Sequence, residues 1–257
     1  MLDIAAIPAL RDNYIWIIHD GHHALVVDPG EAAPVLKFLT AHSLQPQAIL
    51  CTHRHADHTG GIAELRGVYN VPVYGRRHPL NPNITHDLRE GDRLELAAPA
   101  IAFDILEIPG HLDDHIAFLA PKNSLPILFC GDVMFGAGCG RNFEGTPAQL
   151  HHSLQRLAAL PDDTRVFCAH EYTDANLRFA LACEPDNPDV HRRIEDTRRL
   201  RAAGQPSLPS IIALEKATNP FLRCTSPEIV RTLQRQGLTD TSELAVFTAL
   251  RAWRNHF

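Results

Sequence analysis

Between Cys51 and Gly61 the chain reads Cys-Thr-His-Arg-His-Ala-Asp-His-Thr-Gly-Gly, which places His53, His55, Asp57 and His58 within six residues. Imidazoles and a carboxylate crowded this closely would repel or compete if charged, and would lose their hydrogen bonds to water if buried alone. A bound cation removes both penalties. The segment follows the apolar run Ala48-Ile49-Leu50 and precedes a helical pattern, so it reads as a strand-to-helix turn. On a strand His53 and His55 share a face, and a tight turn at Asp57-His58 aims the next two donors at a neighbouring point. One segment can then serve two adjacent metal ions.

The rest of the chain supports an α/β architecture. The runs YIWIIHD, HALVVDPG, AILCTH, VPVYG, IAFDILEIPGH, LPILFCGD and RVFCAH read as strands. Helical spacing of apolar residues appears in EAAPVLKFLTAHS, GGIAELRGVY and TPAQLHHSLQRLAAL, the last with Thr146 as N-cap and Pro147 at the first helical position. From about Thr173 the pattern becomes helical, in DANLRFALACEP, VHRRIEDTRRLRAAG and SELAVFTALRAWRNHF, around a Pro- and Ser-containing stretch from Gln205 to Pro209. Residues 1–172 are therefore expected to form an α/β domain and residues 173–257 a helical domain, which the resemblance described below makes the catalytic and the substrate-binding domain.

At 257 residues, 45% apolar and 21% charged, the chain has the composition of a globular protein. The net charge of −6 argues against a broad phosphate-binding surface. The arginines from Arg192 to Arg201 alternate with Glu195 and Asp196, so a solvated helix face is expected there and no nucleic-acid patch. No apolar run is long enough for a membrane span, and no secretory pattern opens the sequence; a cytoplasmic protein is the expectation. The six cysteines contain no C-x-x-C pair, and Cys51, Cys130 and Cys168 sit in apolar runs, as buried reduced thiols do. Gly136 to Gly140 lacks a Walker lysine and the G-x-G-x-x-G order, and is assigned to the backbone of a substrate site.

Further metal ligands belong where other strands end, since open sheets carry their chemistry at strand termini and in the following loops. His111, Asp132 and His170 each come just after an apolar strand-like run. Isolated histidines such as His19, His42, His78 and His191 read as ordinary core or surface residues.

The Thr52 to His58 string matches the T-H-x-H-x-D-H signature of the metallo-β-lactamase-fold superfamily, which the chain therefore resembles. The resemblance implies an αββα sandwich with two metal ions. His53, His55 and His111 would hold the first, Asp57, His58 and His170 the second, with Asp132 as the bridge. Zinc is the leading candidate; iron and manganese also suit imidazole and carboxylate donors. Asp12-Asn13-Tyr14, Gly138 to Thr146, His170 to Thr173 and Asn219 to Arg223 narrow the resemblance to the hydroxyacylglutathione hydrolase (glyoxalase II) family, nearly end to end.

That family implies hydrolysis of an S-(2-hydroxyacyl)glutathione such as S-D-lactoylglutathione, the second step of methylglyoxal detoxification. A water-derived hydroxide oriented by Asp57 would attack the thioester carbonyl, with His58 and Asp132 in the same catalytic set. Glutathione would be held by Arg141, Phe143, Tyr172, Arg251 and Arg254. A well-known version of the family has lysine at the positions of Arg141 and Arg254 and tyrosine at that of Phe143, so charge is kept and one hydroxyl is lost. The partner is then a small-molecule thioester, with no nucleic acid or membrane, and a monomer is expected. A glutathione persulfide dioxygenase of the same fold is the alternative, and oxygen uptake on glutathione persulfide separates the two.

Overall fold

The computed structural model describes residues 2–121 and 126–257. Its contacts divide the chain into two units, Met1–Glu107 with Asp114–Gly131, and Ile108–Asp113 with Asp132–Phe257.

The first unit contains β1 (Asp3–Ala9), β2 (Asn13–His19), β3 (His23–Val27), α1 (Ala33–Ala41), β4 (Gln45–Leu50), α2 (Ala56–Thr59), α3 (Ile62–Tyr69), β5 (Val73–Gly75) and β6 (His86–Asp87). The six strands lie in one sheet in chain order, antiparallel from β1 to β3 and parallel from β3 to β6. Ile15 and Ile17 of β2, Val26 of β3 and Ile49 of β4 share a core with Val35 and Leu39 of α1 and with Ile62 and Leu65 of α3. Their neighbours of opposite parity, Trp16, Ile18, Leu25 and Leu50, are equally buried. A sheet covered on both faces is why these strands read as unbroken apolar runs.

The unit continues with β7 (Arg93–Ala97), β8 (Ala100–Glu107), β9 (Ile116–Ala120) and β10 (Ile127–Gly131), an antiparallel series in which each strand pairs with the next. Phe103 meets Phe118 and Phe129 edge to face, at ring-centroid distances of 5.9 and 6.4 Å. Leu125, which opens the expected LPILFCGD strand, lies outside the described residues.

The second unit contains the two-strand hairpin of β11 (Met134–Phe135) and β12 (Gly138–Cys139), then α4 (Pro147–Ala158), β13 (Arg165–Cys168), α5 (Thr173–Cys183) and α6 (Pro188–Ala202). It ends with β14 (Ser210–Ile211), α7 (Ile212–Thr218), a 3-10 turn at Pro220–Leu222, α8 (Pro227–Arg235) and α9 (Glu243–Arg254). Thr146 caps α4 as its sequence predicts: Thr146 Oγ1 accepts from the Gln149 amide at 3.2 Å, and Gln149 Oε1 accepts from the Thr146 amide at 2.8 Å. Leu177 and Ala180 of α5 pack on Val190 and Ile194 of α6 and on Ala137. The mostly helical C-terminal stretch includes one short strand, β14, which pairs antiparallel with β13.

One expectation needs correction here. Arg192, Arg198 and Arg199 are solvated, but Arg193 is buried and pairs with Glu215 at 2.6 Å. It shares the inward face of α6 with Val190, Ile194 and Thr197, at three- and four-residue spacing. Among the described residues, no helix is long and apolar enough to cross a membrane.

Candidate metal and substrate site

In the first unit, β4 ends at Leu50 and the chain leaves the sheet before the first histidine. The cause is local. The Thr52 amide donates to Asp28 Oδ1 at 2.8 Å and the Thr52 hydroxyl to Asp28 Oδ2 at 2.7 Å, so a side chain takes the place of a ladder partner. His53 and His55 therefore stand in a loop, not on one face of a strand as the alternation predicts. Asp57 and His58 lie in the one-turn helix α2.

The four donors still converge. His53 Nε2 and His55 Nδ1 are 3.1 Å apart, the His53 and His58 rings are centred 4.0 Å apart, and His58 Nε2 lies 3.5 Å from Asp57 Oδ2. Two nitrogens bound at about 2.0–2.1 Å to one tetrahedral zinc sit roughly 3.3 Å apart, so the His53–His55 spacing fits adjacent ligands of one cation. His58 Nδ1 contacts Asp28 Oδ2 at 3.1 Å, which fixes the ring and leaves Nε2 as the donor on the cluster side. Asn13 Nδ2 donates to Asp57 Oδ2 at 3.1 Å. A β-carbon on Gly30 would lie 2.0 Å from the Asp57 carbonyl oxygen, so only glycine permits the close approach of the Asp28–Gly30 loop to α2.

In the second unit Asp132 lies between two imidazoles and uses a different oxygen for each: Oδ2 is 3.6 Å from His111 Nε2 and Oδ1 is 3.3 Å from His170 Nε2. A carboxylate so placed could offer one oxygen to each of two ions. His111 Nδ1 lies 2.9 Å from the Arg141 carbonyl oxygen, which directs Nε2 towards Asp132. Tyr172 stacks on the His170 ring at 4.7 Å and 7°, and Phe143 meets the His111 ring edge-on at 5.2 Å.

All five residues expected to hold the substrate belong to this second unit. Arg141 and Phe143 are exposed, Tyr172 and Arg254 are half-buried, and Arg251 is buried. Burial lowers the Arg254 guanidinium pKa, and the nearby charges of Arg251 and Arg141 lower it further. Three guanidiniums gathered on one small region attract an anion. Arg251 Nη1 also donates to the carbonyls of Cys139, at 2.9 Å, and Gly140, at 3.2 Å.

Two residues near the histidine cluster were not singled out from the sequence. Asp28 follows the apolar strand β3, the same position that drew attention to Asp132, and could have been found by that rule. His115 stacks on His53 with ring centroids 4.6 Å apart and planes at 17°. A histidine beside β9 carries no such signal in the sequence alone.

Comparison with known proteins gives the class first. Residues 10–170 match the family model described as the metallo-β-lactamase superfamily, and residues 171–257 match the one described as the hydroxyacylglutathione hydrolase C-terminus. The chain is 49% identical to the hydroxyacylglutathione hydrolase of Photobacterium profundum and 47% identical to that of Nitrosomonas eutropha, each over 100% of both chains. It superposes on the crystal structure of ETHE1 from Myxococcus xanthus with a TM-score of 0.65 at 24% identity, covering 98% of this chain and 99% of that one. The protein belongs to the hydroxyacylglutathione hydrolase family of the metallo-β-lactamase superfamily, and its α/β sheets with a C-terminal helical region are that fold.

Proposed function

We propose that the protein hydrolyses S-(2-hydroxyacyl)glutathione, with S-D-lactoylglutathione as the representative substrate, to glutathione and a 2-hydroxy acid. The observation that carries this reading is the pairing of two features in one chain. The metal-type donor sets match the superfamily signature, and the gathered arginines match the two carboxylates of glutathione. His53, His55 and His111 would hold one ion and Asp57, His58 and His170 another, with Asp132 shared. Zinc suits this set, and iron or manganese would also be accepted.

A pair of divalent ions, when bound, lowers the pKa of a shared water and polarises a carbonyl. The chain supplies the rest. Asp57, held by Asn13, orients the attacking oxygen, and His58 is kept in one ring orientation by Asp28. Arg141 and Arg254 hold glutathione carboxylate, Phe143 and Tyr172 line the approach, and the buried Arg251 adds positive potential. A thiol with a pKa of about 8.5 leaves readily as thiolate, so no separate acid is needed. The reading extends to a monomeric cytoplasmic enzyme with a catalytic domain over residues 1–172 and a substrate-binding domain over 173–257.

The test is thioester loss from S-D-lactoylglutathione by zinc-replete protein, with a chelator-treated control and the Asp57→Ala and His58→Ala variants. Efficient turnover that chelator abolishes is expected, and each variant should lose several orders of magnitude in kcat. No turnover with two metal equivalents bound, or near-normal rates in both variants, would sink the proposal.

A further inference from the structure

The hairpin between Asp132 and Arg141 is held by its backbone. Side chains from four separate helical elements of the second unit take hold of five consecutive residues. Asn176 Nδ2 of α5 donates to the Gly136 carbonyl at 3.0 Å. Glu215 Oε2 of α7 accepts from the Ala137 amide at 2.9 Å. Asn219 Nδ2, at the start of the 3-10 turn, donates to the Gly138 carbonyl at 2.9 Å and to Glu215 Oε2 at 3.1 Å. Arg251 of α9 holds the Cys139 and Gly140 carbonyls.

The grip is electrostatically costly to build. Glu215 and Asn219 are fully buried, and Arg193 answers the Glu215 charge at 2.6 Å while also donating to Thr218 and Ser210. A buried ion pair contributes little net stability compared with apolar packing, so its use here points to geometry. Ala137 is held at a φ of +55°, a backbone conformation that a β-carbon disfavours. Immediately beyond the hairpin, the Gly140 amide donates to the Val133 carbonyl at 3.3 Å, and a β-carbon on Gly140 would lie 2.0 Å from the Asp132 carbonyl oxygen. The grip therefore reaches the backbone of Asp132 at one end and of Arg141 at the other.

We propose that Glu215 and Asn219 are positioning residues, which hold the hairpin so that the Asp132 carboxylate stays between His111 and His170 and Arg141 stays in place for the substrate. The inference rests on the proposed function for its substrate, and on the donor geometry of Asp132 for its metal.

The experiment compares Glu215→Gln and Asn219→Ser with wild type in three readouts: amide exchange at residues 134–141, zinc affinity by competition with a chelator, and kcat and KM for S-D-lactoylglutathione. Glu184→Gln is the control. It breaks another ion pair of the second unit, the buried Glu184 with the half-buried Arg223, in which no hydrogen bond to the hairpin is formed. The two hairpin variants should exchange faster at 137–140, bind zinc about 10-fold or more weakly, and lose kcat more than KM rises. The control should lose only thermal stability. Should Glu215→Gln fail to fold, Asn219→Ser alone decides. Wild-type exchange and zinc affinity in the variants, or the same changes in the control, would overturn the proposal. If wild type itself does not turn over the thioester while exchange and zinc affinity change as stated, the proposed function falls and the positioning role stands.

Discussion

Asp28 does more for the histidine cluster than its distance from it in sequence implies. Its carboxylate is buried, sits at a φ of +52°, and accepts from the Thr52 amide and the Thr52 hydroxyl while contacting His58 Nδ1. One side chain thus ends β4 and sets the face that His58 presents. An Asp28→Asn change keeps one acceptor but turns an NH2 group against one of those partners, so a donor meets a donor. Zinc affinity measured by chelator competition should fall about 10- to 100-fold, as it does when other outer-shell partners of metal ligands are removed. An unchanged affinity would mean that His58 is oriented without Asp28.

At the scale of elements, what the sequence made legible follows from where polar and apolar residues share a period. Thr146, Pro147 and the three- to four-residue spacing of Leu150, Leu154 and Leu157 announce α4, and the structure starts and ends it within two residues of the expected span. Thr146→Ala removes the reciprocal cap and should lower unfolding free energy by about 1 kcal/mol, read from a denaturant titration, and no change would mean that Pro147 alone starts the helix. Ile116–Ala120 forms a further strand, buried along its whole length like β10. Alternation puts His53 and His55 on a strand because it cannot register the competing hydrogen bonds that Thr52 donates to Asp28, which is remote in sequence. Arg193 reads like its solvated neighbours because its partner Glu215 lies on a different helix. The candidate metal donors are legible from residue type and from position after apolar runs. Their geometry is not, because it depends on these distant partners.

At the scale of the whole chain, all six cysteines are buried thiols outside any disulfide. Burial pushes the Cys51 and Cys139 thiols above their ordinary range, so thiolate is scarce as well as inaccessible. A chromogenic thiol reagent should therefore find almost none in the native protein and six after unfolding, and a rapidly reacting native thiol would contradict the burial described. There is a chemical reason for this to matter. With a glutathione thioester as substrate, each turnover liberates a thiol beside the protein, and the disulfide of that thiol would exchange with any exposed thiolate. Thiol–disulfide exchange needs an accessible thiolate to begin. A fold that keeps its sulfur out of reach can release that product indefinitely without accumulating mixed disulfides on itself.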